Sequence, residues 1–497
     1  MIQRAKRQMQ NLSYPLFLRT FYACFSFRNT LRAEYRRCEA GLPLLKRPTD
    51  LMESIAKSVR KSLWNTTATP LRARLARGAF WAVFDASFTR CFALLMSIVV
   101  ARLVGRELFG EFGVVQGTVG VFALLAGLGM SVTATKYVAE LRQKDPVRVG
   151  RIIGLSVLVA TLSAVIMSIA LIATAPWLAR TTLASARLGP LLRLGTGLLF
   201  FGVLNGAMKG ALYGFEAFKA VAIIDVITGL VGCAMVIGGV FTGGVPGAIL
   251  GLVGGMAAQS LGYFIAFRRE TQAAGISNLY RGCFAEWSVL AQFSLPALLA
   301  AAMAGPVSWL CSAILVNQPG GYAQMGLFSA ANQWRSAIMF LPTTLSAPIL
   351  PVLSSMFGTD RRYTKVLWTG VAVNGFVALL AAIIIAILSR PIMASYGPDF
   401  LAGRAVLVLL SFSAALAASV SVVGHAMASS GRMWWGFALN GVWAVTLVGS
   451  LWLLRSRGAY GFAIANLIAY GLHLVTVSSY TFFRIPRQFP ILQETAE

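Results

Sequence analysis

From residue 79 onward the chain is written in long apolar runs parted by short polar stretches. A helix rises ~1.5 Å per residue, so about 20 apolar residues cross a hydrocarbon core ~30 Å thick. Runs of that length fall at 79–105, 112–134, 150–176, 190–213, 218–241 and 245–267, then at 290–315, 324–353, 364–388, 403–428, 434–454 and 458–483. The pattern predicts an all-α polytopic membrane protein of about twelve transmembrane helices in two six-helix lobes. The lobes occupy 79–267 and 290–485, joined by a polar linker at 268–289, with a basic extension at 1–78 and a tail at 486–497.

The halves echo each other. Gly105, Gly110 and Phe112 in GRELFGEF recur as Gly321, Gly326 and Phe328 in GYAQMGLF, at a constant offset. YGFEAFK at 213–219 corresponds loosely to SSGRMWW at 429–435, and GGVPGA at 243–248 to RGAYGF at 457–462. Repeats of the same topology make lobes related by an axis along the membrane normal, as in many carriers.

Composition sharpens the class. The chain is 57% hydrophobic and 12% charged, against about 25% charged in soluble domains. A net charge of +26 would suit nucleic acid only if gathered on one module. Here Lys and Arg sit at the ends of the spans, which excludes that reading. Their excess on the N-terminal side and in every second loop predicts cytoplasmic termini. Residues 1–78 carry 16 Lys/Arg against four acids. Within them Ile55, Val59 and Leu63 share a helical face flanked by Lys57, Arg60 and Lys61, an interfacial-helix pattern. A solvated basic tail, a start at Met52 and a transit peptide are alternatives for this extension. The six cysteines form no metal-ligand spacing with His425 and His473, so no metal and no disulfide framework is expected.

Charges inside the spans carry the candidate chemistry. Arg90 lies eleven residues past Ala79, roughly 17 Å into the membrane. An arginine at that depth costs on the order of 2.5–3.5 kcal/mol and is expected to face protein, water or a ligand. Arg335 is likewise eleven residues past Gln324.

The chain resembles the Wzx-type polysaccharide transporters, the oligosaccharide flippases of the multidrug/oligosaccharidyl-lipid/polysaccharide (MOP) exporter superfamily. The resemblance rests on ARLVGRELFGEFG (101–113), GLG (127–129), LAQFSLPALLA (290–300), GLFSAANQW (326–334) and LPTTLSAPILPVLSSM (341–356). It implies a non-enzymatic carrier of the bacterial inner membrane that flips an undecaprenyl-pyrophosphate-linked oligosaccharide to the periplasmic leaflet by alternating access. It implies no bound cofactor, coupling to a proton or sodium gradient in some members, and a polysaccharide polymerase and chain-length regulator as partners.

On that reading one arginine from each lobe, Arg90 and Arg335, meets the phosphates in a central cavity. Guanidinium stays charged and binds phosphate oxygens bidentately. Asn332 and Gln333 beside Arg335, Ser87 and Ser97 on the Arg90 face, and Asn205 extend the polar path. Lys209 is expected to pair with Asp225, while Asp85 shares Lys209 or serves as a coupling carboxylate. Lys136 lies at the cytoplasmic mouth, as a phosphate attractor or an ordinary interfacial lysine. His425 and His473 read as helix-packing residues, with proton coupling as the alternative. Pro296, Pro306, Pro342, Pro348 and Pro351 interrupt the seventh and eighth spans, and Trp177, Trp287, Trp434, Trp435 and Trp452 read as interfacial anchors. A cation-coupled multidrug exporter would share the fold but favour carboxylates over arginines. A membrane polymerase or ligase would need a large external loop or an acid/base constellation, and the sequence offers neither.

Overall fold

A computed structural model describes residues 70–276, 280, 282–289, 303–346, 349–356, 363–429 and 433–484. The expected helix at 54–63, Met52, the LAQFSLPALLA segment with Pro296, Pro348 and the tail at 486–497 lie outside these residues. The chain comprises two units, Met1–Arg77 and Gly78–Glu497, and the bundle below belongs to the second. Among the described residues there is no strand.

The first half contains α1 (Pro70–Gly127), α2 (Met130–Leu141), α3 (Pro146–Trp177), α4 (Leu188–Gly214) and α5 (Phe218–Ala273). The second contains α6 (Ala304–Val316), α7 (Gly321–Ser346), α8 (Ile349–Met356), α9 (Tyr363–Ile387), α10 (Ser389–Tyr396), α11 (Arg404–Ser429), α12 (Met433–Leu454) and α13 (Gly458–Arg484). Seven stretches among the described residues are long and apolar enough to span a membrane. Three of these run to about 50 residues, and glycine breaks each one. The Ala76–Gly127 stretch has 52 residues and would measure about 78 Å if straight, over twice the hydrocarbon thickness. Gly105 interrupts it with φ 80° and ψ 173°. Gly244 (φ 59°) divides α5, and Gly458 (φ 58°) separates α12 from α13.

Two sequence-based boundaries change. The expected span at 112–134 is two helices, because Leu128 (φ 44°) and Gly129 (φ 69°) turn left-handed between α1 and α2. The linker expected to begin at 268 begins later, since α5 continues to Ala273. At the start of α3 the Asp145 carboxylate accepts from the Arg148 N–H at 3.0 Å, with Pro146 at the first helical position. That is the expected chemistry of a helix start.

One crossing ties the halves together. After its Gly105 break, α1 runs against α7 so closely that a methyl on Gly110 would lie 1.9 Å from the Tyr322 carbonyl oxygen. A methyl on Gly326 would lie 2.0 Å from the Arg106 carbonyl oxygen. These are the repeat-related glycines, and they meet each other. Only residues without a side chain permit backbones to approach so nearly. Around the crossing, Phe109 packs on Tyr396 and Phe400, with ring centroids 6.3 and 5.9 Å away. Phe328 stacks on Phe462 at 3.9 Å. The same end of the bundle is tied by Asn317 Nδ2 donating to the Thr182 carbonyl at 2.7 Å and by the Tyr322 hydroxyl donating to the Leu183 carbonyl. Apolar rings and backbone-directed bonds thus seal one end.

Gly110→Ala is expected to force this crossing apart and to cost on the order of 1–3 kcal/mol, as overpacking does. The readout is the unfolding temperature of purified protein in detergent. The control is Gly117→Ala, where the added methyl meets nothing within 4 Å and stability should change by no more than about 0.5 kcal/mol. Equal stability of the two variants would remove the crossing's structural role.

Candidate substrate cavity

Beyond the seal the halves part around a cavity of about 770 Å³, within the ~300–1,000 Å³ range of ligand sites. One wall comes from α1 and α5, with Phe88, Phe92, Met96, Ser97, Gln116, Asp225 and Gln259. The other comes from α6, α7, α12 and α13, with Trp309, Ser329, Asn332, Gln333, Arg335, Leu447 and Asn466. The Phe88 and Phe92 rings on this wall lie over Gly229 of α5, where a Cβ would stand in ordinary contact with them at 3.5 and 3.6 Å.

Arg335 is half-buried in the wall. Its guanidinium carbon stands 5.1 Å from the centre of the Tyr470 ring, which itself tilts against Trp443 at 5.5 Å. The quadrupole of an aromatic face attracts the cation without neutralising it. The Arg335 Nε is buried with no hydrogen-bond partner, and among the described ion pairs none includes Arg335. Its positive charge therefore remains available to an anion. Asn332 and Gln333 line the cavity beside it, and Ser97 lines it from the opposite half with its Oγ unpartnered.

Arg90 is placed differently from the sequence-based expectation. It is exposed and is not among the lining residues. The face of α1 turned to the cavity carries Phe88, Thr89, Phe92, Ala93 and Met96, which leaves Arg90 on the flank. The expected meeting of Arg90 with Arg335 is thus corrected: the structure brings Arg335 to the cavity and not Arg90. Ser87 is half-buried and also outside the lining. Lys136 is exposed on α2, its ammonium 4.5 Å from the Tyr137 ring centre. His473 is buried with its Nδ1 unpartnered, and His425 is half-buried; neither lines the cavity.

The first half holds a second polar cluster, against the cavity wall. Lys209 Nζ donates to Asp225 Oδ2 at 2.7 Å and to Asp85 Oδ2 at 2.9 Å. Both carboxylates are buried, 2% exposed for Asp85 and 6% for Asp225. The Tyr213 hydroxyl donates to Asp85 at 2.9 Å, and Gln259 Nε2 and the Tyr263 hydroxyl donate to Asp225 Oδ1. Asn205 donates to Gln259 Oε1 at 3.1 Å and accepts from Ser260 at 2.6 Å, so it acts through Gln259 rather than lining the cavity. One lysine thus serves two acids, linking α1, α4 and α5. Asp225 and Gln259 carry this cluster to the cavity surface. Sequence reasoning missed Gln259 and Tyr263. Their spacing of four on one face of α5, in an otherwise apolar run, was the available signal.

Lys209→Ala leaves two buried carboxylates without a cation, and a loss of about 3–5 kcal/mol is expected. Asp85→Asn keeps the Lys209–Asp225 pair and should cost less. Thermal unfolding of the purified variants orders the two effects, and the reverse order would contradict the shared-lysine arrangement.

The chain is similar to known membrane proteins along most of its length. The family described as polysaccharide biosynthesis protein matches residues 75–357. The EPS I polysaccharide export inner membrane protein EpsE of Ralstonia nicotianae is 28% identical over 381 residues, covering 74% of this chain and 84% of its own. Among solved structures, the inward-facing conformation of a multidrug resistance MATE family transporter of the MOP superfamily superposes with a TM-score of 0.69. It is 16% identical, covering 82% of this chain and 98% of its own. Lipid II flippase MurJ in an inward closed conformation superposes at 0.61, with 14% identity over 80% of this chain and 86% of its own. These likenesses assign the fold of MOP transporters, and the chain is a multi-pass protein of the bacterial inner membrane. Matched over more than half of its length, it belongs to the polysaccharide biosynthesis protein family.

Proposed function

We propose that this protein carries a polyprenyl-pyrophosphate-linked oligosaccharide from the cytoplasmic to the periplasmic leaflet by alternating access. Twelve spans in two lobes, both termini cytoplasmic, would place the sealed end at the periplasmic face and open the cavity toward the cytoplasm. The observation that carries the reading is Arg335, a cation in the cavity wall with no carboxylate partner among the described residues. Phosphate oxygens suit its guanidinium, and the amides and hydroxyls of Asn332, Gln333, Gln116, Ser97 and Asn466 suit sugar hydroxyls, which both donate and accept. The walls supply polar groups from both halves, so a bound glycan would touch each. Coupling to a proton or sodium gradient, and work alongside a polymerase and a chain-length regulator, belong to the same proposal. EpsE, named for polysaccharide export, supports it.

A cation-coupled multidrug exporter is the second reading, favoured by Asp85 and Asp225 near the cavity. The Lys209 ammonium between them counts against it, since it offsets part of the negative charge that a cationic drug would meet and already holds both carboxylates.

Flipping of a fluorescent lipid-linked oligosaccharide in proteoliposomes tests the function. Arg335→Ala should slow it by about 10- to 100-fold, the worth of a hydrogen bond to a charged group, with Arg335→Lys intermediate and Arg90→Ala within about threefold of wild type. Gradient-driven efflux of a cationic dye without lipid flipping would establish the exporter instead. Wild-type flipping by Arg335→Ala would end the phosphate reading.

A further inference from the structure

The first helix carries a feature that the polar site does not use. Phe80, Phe84, Phe88 and Phe92 recur every four residues along α1, and their rings stack in order, with centroids 6.4, 6.4 and 5.2 Å apart and interplanar angles of 18°, 23° and 21°. An i, i+4 row advances about 40° round a helix at each step, so the ladder winds as it rises. Phe80 and Phe84 are 62% and 41% exposed, whereas Phe88 and Phe92 line the cavity. The row therefore runs about 18 Å along the axis, from the outer surface of the bundle into its interior. Gly229 of α5 leaves the bed on which its inner rings lie.

Both ends carry positive charge. Near the outer end Trp81 sets its edge against Phe80 and Phe84, at 5.6 and 5.7 Å. The exposed Lys219 ammonium stands 5.9 Å from the Trp81 ring centre. At the inner end the ladder opens into the cavity that holds Arg335. Single lipid-facing phenylalanines are ordinary in a membrane and bulk acyl chains cover them. Bulk lipid gives no reason for a stacked row to leave that surface and continue into a cavity that also holds Arg335 and a set of amides and hydroxyls. Flat ring faces suit a branched, unsaturated chain, whose methyl and vinyl hydrogens point at the π-cloud. Cations at both ends suit an anionic head on such a chain.

We propose that the α1 ladder is a binding track for the isoprenoid chain of a polyprenyl phosphate lipid, holding the chain along Phe80–Phe92 while the anionic head occupies the cavity. The proposal rests on reading the cavity as a site for a lipid-linked sugar. It adds a second recognition element, for the lipid rather than the glycan.

The test uses the full chain in proteoliposomes with a benzophenone-bearing farnesyl pyrophosphate probe, photolysed and mapped by mass spectrometry. Adducts are expected on the 80–92 peptide, suppressed by excess undecaprenyl phosphate but not by the same excess of phosphatidylglycerol. The Phe84→Ala/Phe88→Ala variant should label about five- to tenfold less, the worth of two aromatic contacts, while Phe84→Trp retains labelling. Leu95→Ala, also exposed on α1 but off the ladder, should leave it unchanged. The adduct map is read on the wild-type chain and does not depend on a variant folding. Adducts elsewhere, or labelling suppressed equally by phosphatidylglycerol, would overturn the track. Specific labelling without any flipping would keep the track and overturn the transport reading; flipping with unspecific labelling would do the reverse.

Discussion

The bundle depends on the backbone crossing of Gly110 and Gly326. Two helices pack at a separation set by whatever projects between them, and here nothing does. With carbonyl oxygens of Arg106 and Tyr322 lying where side chains would otherwise stand, the halves meet backbone to backbone at the crossing. Farther along α1 the contact with α6 is made by side chains, Trp309 Nε1 donating to Thr118 Oγ1 at 2.9 Å, and the cavity lies between the walls that these contacts hold. The aromatic cluster of Phe109, Tyr396 and Phe400 and the stacked pair of Phe328 and Phe462 gather at the crossing because close backbones bring large rings into contact. Among the ion pairs of the described residues none spans this crossing; it is built from apolar packing and a few directed bonds.

The charges divide unevenly between the halves. The first half buries two carboxylates that share one lysine, held by Tyr213, Tyr263 and Gln259 in a network that leaves only Asp85 Oδ1 of the two carboxylates' oxygens without a partner. A buried ion cluster of that kind gains little over apolar packing but is expensive to break, so it serves to lock α1, α4 and α5 as a rigid body. The second half contributes the Arg335 guanidinium on an aromatic face, in no ion pair among the described residues. The first-half cluster has one lysine for two carboxylates, whereas Arg335 is paired with no carboxylate among the described residues, which gives the cavity a direction: an anion is drawn to the second half, and hydroxyl-bearing groups find partners on both.

That polarity, together with the phenylalanine row on α1, matches an amphiphile better than a compact drug. The ligand would need an anionic centre, a polar portion in the cavity and an apolar portion able to leave along a helix face. Membership of the polysaccharide biosynthesis family does not specify which walls would read which part of such a cargo; the proposed assignment rests on Arg335, Asn332, Gln333 and the ladder.

The amino-acid sequence by itself determined the helical membrane class, because burying backbone amides in hydrocarbon leaves a chain of apolar runs no structure but helices. It also marked the repeat glycines and the family resemblance, and it gave an expected depth for Arg335, since rise per residue converts position along a span into depth. Azimuth was another matter. Counted from the expected span starts Arg90 and Arg335 have matching depths, yet which way each points follows from how its helix is rotated by its neighbours, among which Phe88 and Phe92 of α1 lie over Gly229 of α5. The same holds for Lys209, whose two acids come from helices 124 and 16 residues away, and for the break at Leu128–Gly129, hidden in an apolar run. Local periodicity fixes what a helix is and how far along it a group lies; only packing against the rest of the chain decides which face meets the cavity.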